Sequence, residues 1–359
     1  MDTRLPVTVL TGYLGAGKTT LLNRFLQDPH GLRYAVLVNE FGEIGIDHEL
    51  LTHASEELFE MNNGCVCCTV RGDLIRTLHG LLQRPGSFDA LIVETTGLAD
   101  PGPVAQTFFV DPKLRAATRL DSITTLVDAH HVLASLADSR EAVEQIAFAD
   151  QLVLNKTDLA DEPELQAVEA ALRRINPLAP IHRALRSGVA LPQLLDRGGF
   201  DLARITTLEP DFLSGPSHDE RGHVHDEHCR HEPSQDPSRD PSPGAGKDQQ
   251  HDYRHDHRHD NSVHSVSIVL HQPLNAARVQ AWLTDLLARQ GADILRAKGI
   301  VDIAGEPRRM VFQSVHMLLE GDWQRAWRDG ETRQTRMVFI GRGLDESELK
   351  AGLVACAAG

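Results

Sequence analysis

Eight residues near the N-terminus restrict the possible folds more than any other part of this chain. Gly12-Tyr-Leu-Gly15-Ala16-Gly17-Lys18-Thr19 fits the pattern G-x-x-x-x-G-K-[ST], directly after the apolar run Val7–Leu10 and before a helical pattern over Thr20–Leu26. Glycines at these spacings let backbone N–H groups close around phosphate oxygens, and the following helix adds the positive end of its dipole. The expected cradle is Gly12, Gly15, Ala16, Gly17, Lys18, Thr19 and Thr20, with Lys18 reaching the outer phosphates and the Thr19 hydroxyl holding Mg²⁺.

Four further apolar runs bounded by polar or turn residues read as strands: Ala35–Val38, Ala90–Val93, Ile123–Val127 and Leu152–Leu154. Such runs suit strands covered on both faces. Helical spacing separates them, as in Val70, Leu74, Leu78 and Leu81–Leu82. The expectation is an α/β domain over residues 1–207, a doubly wound P-loop NTPase sheet.

The length of 359 residues allows about two domains at roughly 100–200 residues each, and the histidines show where they divide. Ten of the nineteen fall between His218 and His264, together with eleven Asp/Glu, six Lys/Arg and almost no aliphatic residues. A segment of this composition has little to bury against its ordering entropy, so residues 208–262 are expected to be a disordered His/Asp-rich linker. Both a loosely chelating tract, through residues such as His223, His225, His228, Cys229 and His231, and a solvated spacer fit it.

Beyond the linker, 263–359 reads as a small α+β domain. Val266, Ile268 and Leu270 alternate as in a half-buried strand, and a helix capped by Asn275 presents Val279, Trp282, Leu283, Leu286 and Leu287 before stopping at Gly291. Strand-like runs follow at Ile300–Ile303, Met310–Val315 and Met337–Ile340, and Asp345 with Glu348 opens a last helix.

Other motifs add chemistry to the loop. Asn155-Lys156-Thr157-Asp158 ends the run Leu152–Leu154. A carboxylate there accepts from the N1–H and N2 amine of guanine and stands unpaired beside adenine, which favours GTP. Glu94-Thr-Thr-Gly97 follows Ala90–Val93: Glu94 is a candidate Mg²⁺ ligand, and the Gly97 N–H can approach a γ-phosphate. Lys18, Glu94 and Gly97 are thus the candidate catalytic residues. The acidic loop Asn39–Asp47 occupies the place of a nucleotide-sensing segment, and its Glu40 joins Thr19 and Glu94 as a candidate metal ligand. Cys65, Cys67 and Cys68 form a Cys-x-Cys-Cys cluster whose thiolates suit Zn²⁺, Cu⁺ or Co²⁺. Three thiolates leave a fourth position open, as suits an ion that is handed on. His130, His131 and His316 read as core or cap residues rather than ligands.

Some classes are set aside by composition. The chain has a net charge of −15 and no basic stripe, which argues against nucleic acid as a partner. No apolar run approaches the ~20 residues of a membrane span. The N-terminus carries no signal-like segment, which points to the cytoplasm.

With Gly12–Thr19, Gly64-Cys-Val-Cys-Cys68, Glu94–Gly97 and Asn155–Asp158 in one order, the chain resembles the CobW-like GTPases, relatives of the urease and hydrogenase nickel-insertion GTPases. Asn39-Glu40-Phe41-Gly42-Glu43 and Gly97-Leu98-Ala99-Asp100-Pro101 strengthen the resemblance. It implies a GTP-hydrolysing metallochaperone that carries metal on Cys65, Cys67 and Cys68 and delivers it to a client metalloprotein. It also allows a nucleotide-dependent homodimer. Zinc is the expected ion; cobalt, for cobalamin synthesis or nitrile hydratase activation, is the alternative. A passive His-rich zinc buffer is a further reading, and a P-loop ATPase or kinase another.

Overall fold

The computed structural model describes residues 3–27, 33–39, 57–61, 67–83, 88–190, 193–200 and 263–358, with the side chains of 39, 57–61 and 67–71 left undescribed. The whole of the expected linker, 208–262, lies outside these residues. His264, just beyond it, belongs to a strand, and its Nε2 lies 3.1 Å from the carbonyl oxygen of Leu344.

Among the described residues, seven strands form one sheet in the order β3-β2-β4-β1-β5-β6-β7. They are β1 Leu5–Gly12, β2 Tyr34–Asn39, β3 Glu57–Met61, β4 Ala90–Glu94, β5 Thr118–Asp128, β6 Gln151–Asn155 and β7 Ile181–Arg183. Every pairing is parallel. The helices are α1 Lys18–Gln27, α2 Cys67–Leu82, α3 Pro101–Val110, α4 Pro112–Ala117, α5 Val132–Asp138, α6 Arg140–Phe148 and α7 Glu162–Ile175. This is the expected doubly wound sheet, with two differences. The chain makes two helices in succession between β4 and β5 and again between β5 and β6, and the short β3 and β7 were not foreseen.

The local reasons are plain. Central strands are apolar on both faces because helices cover both: Val7, Val9 and Leu10 on β1 are buried, as are Leu152, Val153 and Leu154 on β6. Asp100 caps α3, accepting from the Gly102 N–H at 2.8 Å, with Pro101 at the first helical position. Asp161 and Glu164 close a reciprocal capping box at the start of α7.

The second sheet is antiparallel, ordered β11-β10-β9-β12-β8. Its strands are β8 Val263–Leu270, β9 Ile294–Val301, β10 Arg308–Val315, β11 Leu318–Ala326 and β12 Thr335–Arg342, with α8 Ala276–Gln290 and α9 Glu346–Val354 alongside. The expected caps are present: Asn275 Oδ1 accepts from the Arg278 N–H at 3.1 Å, and Asp345 accepts from Ser347 and Glu348. β9 begins six residues before the expected Ile300 because its first half carries Arg296 and Lys298, which read as surface charge. β11 was not foreseen, since the Leu-Leu-Glu-Gly-Asp-Trp-Gln-Arg-Ala segment of an exposed edge has no apolar alternation.

β8 is half-buried as expected, with Val266 and Ile268 buried and Ser267 and Val269 exposed, whereas the central strands of the sheet are covered on both faces. Ala297, Val301, Phe312, Met337 and Phe339 pack with α8 and α9. Leu295, Ile300, Val311, Val315, Val338 and Ile340 join the core of the first domain. Two buried cations sit in that contact. Arg296 donates to the Phe148 carbonyl at 2.9 Å, pairs with Asp150 and stacks over Phe200, and Lys298 Nζ lies 3.4 Å from Asp150. Among the described residues, no helix is long and apolar enough to cross a membrane.

Candidate nucleotide site

A parallel sheet sends all its strand C-termini to one edge, and crevices outside that edge are where ligands bind in such folds. Here the loops after β1, β4 and β6 carry the expected phosphate, sensing and base motifs. The connections after β2 and β3 lead toward the acidic loop and the cysteines.

The loop after β1 folds over the start of α1 with Gly12, Gly15 and Gly17 all at positive φ (145°, 75° and 106°). At Gly17 the requirement is also steric: a Cβ would lie 2.5 Å from Asn155 Nδ2 and 2.8 Å from Ser187 Oγ. Ala16 is buried, while Thr19 is half-buried and Thr20 exposed in the first turn of α1. Lys18 Nζ donates to the Gly12 carbonyl at 2.8 Å, which places its charge over the loop.

Asn155 makes the site a single unit. Its Nδ2 donates to the Ala16 carbonyl at 2.8 Å and to Ser187 Oγ at 3.1 Å, while its Oδ1 accepts from the Ser187 N–H at 2.7 Å. Ser187 Oγ in turn donates to the Gly17 carbonyl at 3.0 Å. Asn155 thus ties the phosphate loop to the turn after β7. Lys156 takes a left-handed conformation (φ 60°, ψ 34°), which turns the chain so that Asp158 stands exposed on a short 3₁₀ turn, Thr157–Leu159. Lys156 Nζ pairs with Asp128 Oδ2 at 2.8 Å.

Asp128, at the tip of β5, is a member of the site that motif reading missed. Burial pushes its carboxyl upward, but bonds from Lys156, His131 and the His130 N–H outweigh this and hold it below the ordinary carboxylate range. Its only sequence signal was an acid ending an apolar run. Ser187 had less: it follows a three-residue strand, and Arg186 and Ser187 take positive φ (47° and 57°) without a glycine. His130 and His131 are exposed, and His131 sits at the N-cap position of α5 without a side-chain cap bond.

Glu94 ends β4, is 5% exposed and stands in register with Leu10. The chain after it is fastened to β1, with the Thr95 N–H donating to the Leu10 carbonyl at 2.9 Å and Thr95 Oγ1 to Thr11 Oγ1 at 2.8 Å. Gly97 lies directly on the phosphate loop, where a Cβ would fall 2.8 Å from the Leu14 backbone nitrogen.

Glu40 and Cys65 lie outside the described residues; Cys67 and Cys68 open α2, their side chains undescribed. Among the described residues, no group of three His, Cys, Asp or Glu could hold a metal ion. The one described cysteine with a described side chain, Cys356, is free and buried.

Residues 6–183 match the CobW/HypB/UreG nucleotide-binding domain, and residues 263–357 the C-terminal domain of the cobalamin synthesis protein cobW. The chain is 34% identical to "Zinc chaperone YjiA" of Escherichia coli (strain K12), covering 97% of each. It is 44% identical to "Zinc-regulated GTPase metalloprotein activator 1" of Schizosaccharomyces pombe (strain 972 / ATCC 24843) over 49% of this chain and 45% of that one. It is similar in structure to "Zn(II)-bound YjiA GTPase from E. coli", with TM-score 0.71, 29% identity and the whole of both chains covered. This chain therefore belongs to the CobW/HypB/UreG family of nucleotide-binding proteins, in its two-domain form with a CobW-type C-terminal domain.

Proposed function

We propose that this protein is a GTP-hydrolysing zinc metallochaperone that binds the ion through Cys65, Cys67 and Cys68 and passes it to a client metalloprotein. The observation that carries this reading is topological. The phosphate loop, the Glu94–Gly97 segment and the Asn155–Asp158 motif meet at one end of the sheet, and the strand leading to the cysteines, β3, ends at that same side. The names of the relatives support zinc.

The residues fit a magnesium nucleotide. Three positive-φ glycines leave the loop's N–H groups free of side-chain cover, and Gly97 abuts Leu14 with no room for a side chain. Thr19 and Glu94 offer the hard oxygen ligands that Mg²⁺ takes, and the bound ion would offset phosphate charge. Lys18 neutralises developing charge on the outer phosphates, and the Gly97 N–H reports the third phosphate. Asp158, exposed at the strand tip, accepts from guanine; Lys156, fixed by Asp128, holds the turn that presents it.

In this reading GTP orders the segments after β2 and β4 that flank the cysteines, and hydrolysis releases them. A ligand shifts such an equilibrium only by its differential affinity for the two states, and the coupling is reciprocal: zinc tightens GTP binding by the factor by which GTP tightens zinc binding. The test is a titration of Zn²⁺, Co²⁺ and Ni²⁺ into the protein with a non-hydrolysable GTP analogue or GDP. Tighter Zn²⁺ binding in the GTP form, abolished by substituting the three cysteines, supports the reading. Equal affinity in both forms refutes it.

A further inference from the structure

A buried glutamine behind the site has a geometry that the motifs do not explain. Gln145, on α6, is 0% exposed. Its Nε2 donates to two carbonyls of the segment after β4, Gly97 at 3.0 Å and Ala99 at 3.1 Å. Two carbonyl acceptors fix the orientation of the amide, because the flipped form would oppose oxygen to oxygen. Its Oε1 is buried and has no partner among the described residues. Gln145 also lines a small cavity, about 30 Å³, with Tyr13, Leu14, Asp128 and His131, so it stands beside the phosphate loop as well as the Gly97 segment.

The seat of this side chain is firm. The Gln145 carbonyl accepts from Thr125 Oγ1 at 2.8 Å, which fastens α6 to β5. On the same helix Glu144 pairs with Arg342, and the Phe148 carbonyl accepts from Arg296, both from the second sheet. The helix is therefore held from both domains, while the segment it grips hangs between Thr95 and the cap of α3.

We infer that Gln145 is a positioning residue for GTP: by holding the Gly97 and Ala99 carbonyls it sets where the Gly97 N–H lies when a third phosphate is present. The inference rests on the reading of Gly97 as the γ-phosphate contact. GDP has no third phosphate, so its binding does not depend on this grip. Neither does the packing of α6, since methionine fills the space of glutamine without the donor pair.

The experiment compares parental protein, Gln145→Met, Gln145→Glu and Gly97→Ala for binding of a fluorescent non-hydrolysable GTP analogue and of GDP, with thermal unfolding of each. For Gln145→Met the expected result is about a tenfold loss for the GTP analogue, equivalent to about 1.4 kcal/mol, with GDP affinity near parental and a cooperative unfolding transition retained at a somewhat lower midpoint. In Gln145→Glu the carboxylate faces two carbonyls and weakens GTP analogue binding further at pH 8. Its protonated form regains one donor, so the ratio of GTP to GDP affinity rises as pH falls, a response that a packing role does not produce. Equal losses for GTP and GDP in Gln145→Met, or no loss, overturn the inference. If Gly97→Ala keeps the parental preference, the underlying reading of Gly97 fails. If Gly97→Ala loses the preference and Gln145→Met keeps it, only the role of Gln145 fails.

Discussion

Asp150 is the most informative residue to remove from the contact between the two sheets. It is 8% exposed, accepts from the Ile123 N–H at 2.9 Å, pairs with Arg296 and lies 3.4 Å from Lys298 Nζ. Both cations are only 1% exposed. Asp150→Ala therefore removes the carboxylate beside two buried cations and the acceptor of one backbone N–H. Removing one partner of a buried ion pair costs about 3–5 kcal/mol, and an unsatisfied N–H about 1–3 kcal/mol more. Arg296→Met is milder: Asp150 keeps Lys298 and the Ile123 N–H, and an apolar chain still packs on Phe200. Its cost is about 1–3 kcal/mol, the scale of lost charge-assisted hydrogen bonds. Asp150→Ala should thus be the more destabilising by about 2 kcal/mol or more. All three tryptophans, Trp282, Trp323 and Trp327, belong to the C-terminal domain, so fluorescence in urea follows its unfolding. The order should hold at high salt, because buried pairs are little screened. Equal midpoints, or a milder effect for Asp150→Ala, would show that the cluster does not hold the domains as described.

Other outcomes follow from the site. Gly17→Ala places a Cβ 2.5 Å from Asn155 Nδ2 at φ 106° and should weaken both GTP and GDP by more than about tenfold in equilibrium binding, because either Asn155 or the loop must move. Asp158→Asn should lower GTP affinity by about tenfold or more while leaving ATP unchanged in competition assays; an unaltered GTP preference would remove Asp158 from base recognition. The Asp128 carboxyl is held below its ordinary range, so its pairing with Lys156 is intact above the unfolded value near ~3.9 and is lost as pH falls through the lower folded value. Acid unfolding curves of Asp128→Asn should accordingly lack that contribution and lie closer to parental at low pH than at pH 7.

The nucleotide half was legible because it is local. A glycine-rich turn, an acid ending a strand and Asn155–Asp158 each carry their chemistry within a few residues, and five of the seven strands announce themselves as apolar runs. What escaped the motifs is non-local. Nothing in the Asn155–Asp158 motif by itself records that the three hydrogen bonds of Asn155 go to Ala16 and Ser187, far along the chain in both directions. Gln145 belongs to none of the motifs, and only the packing of α6 against the Gly97 segment buries it.

Taken alone, the order of residues determined the central strands, the parallel sheet and the phosphate loop, since spacing and backbone freedom are properties of short stretches. Tertiary structure decided that the central strands of the second sheet are covered on both faces and that Arg296 and Lys298 lie in the core rather than in water. It also decided which groups tie the loops of the site together. The reason is that burial and pairing depend on what arrives from elsewhere: a lysine in a strand is solvated or buried according to whether a carboxylate from another domain stands opposite, and no local pattern records that.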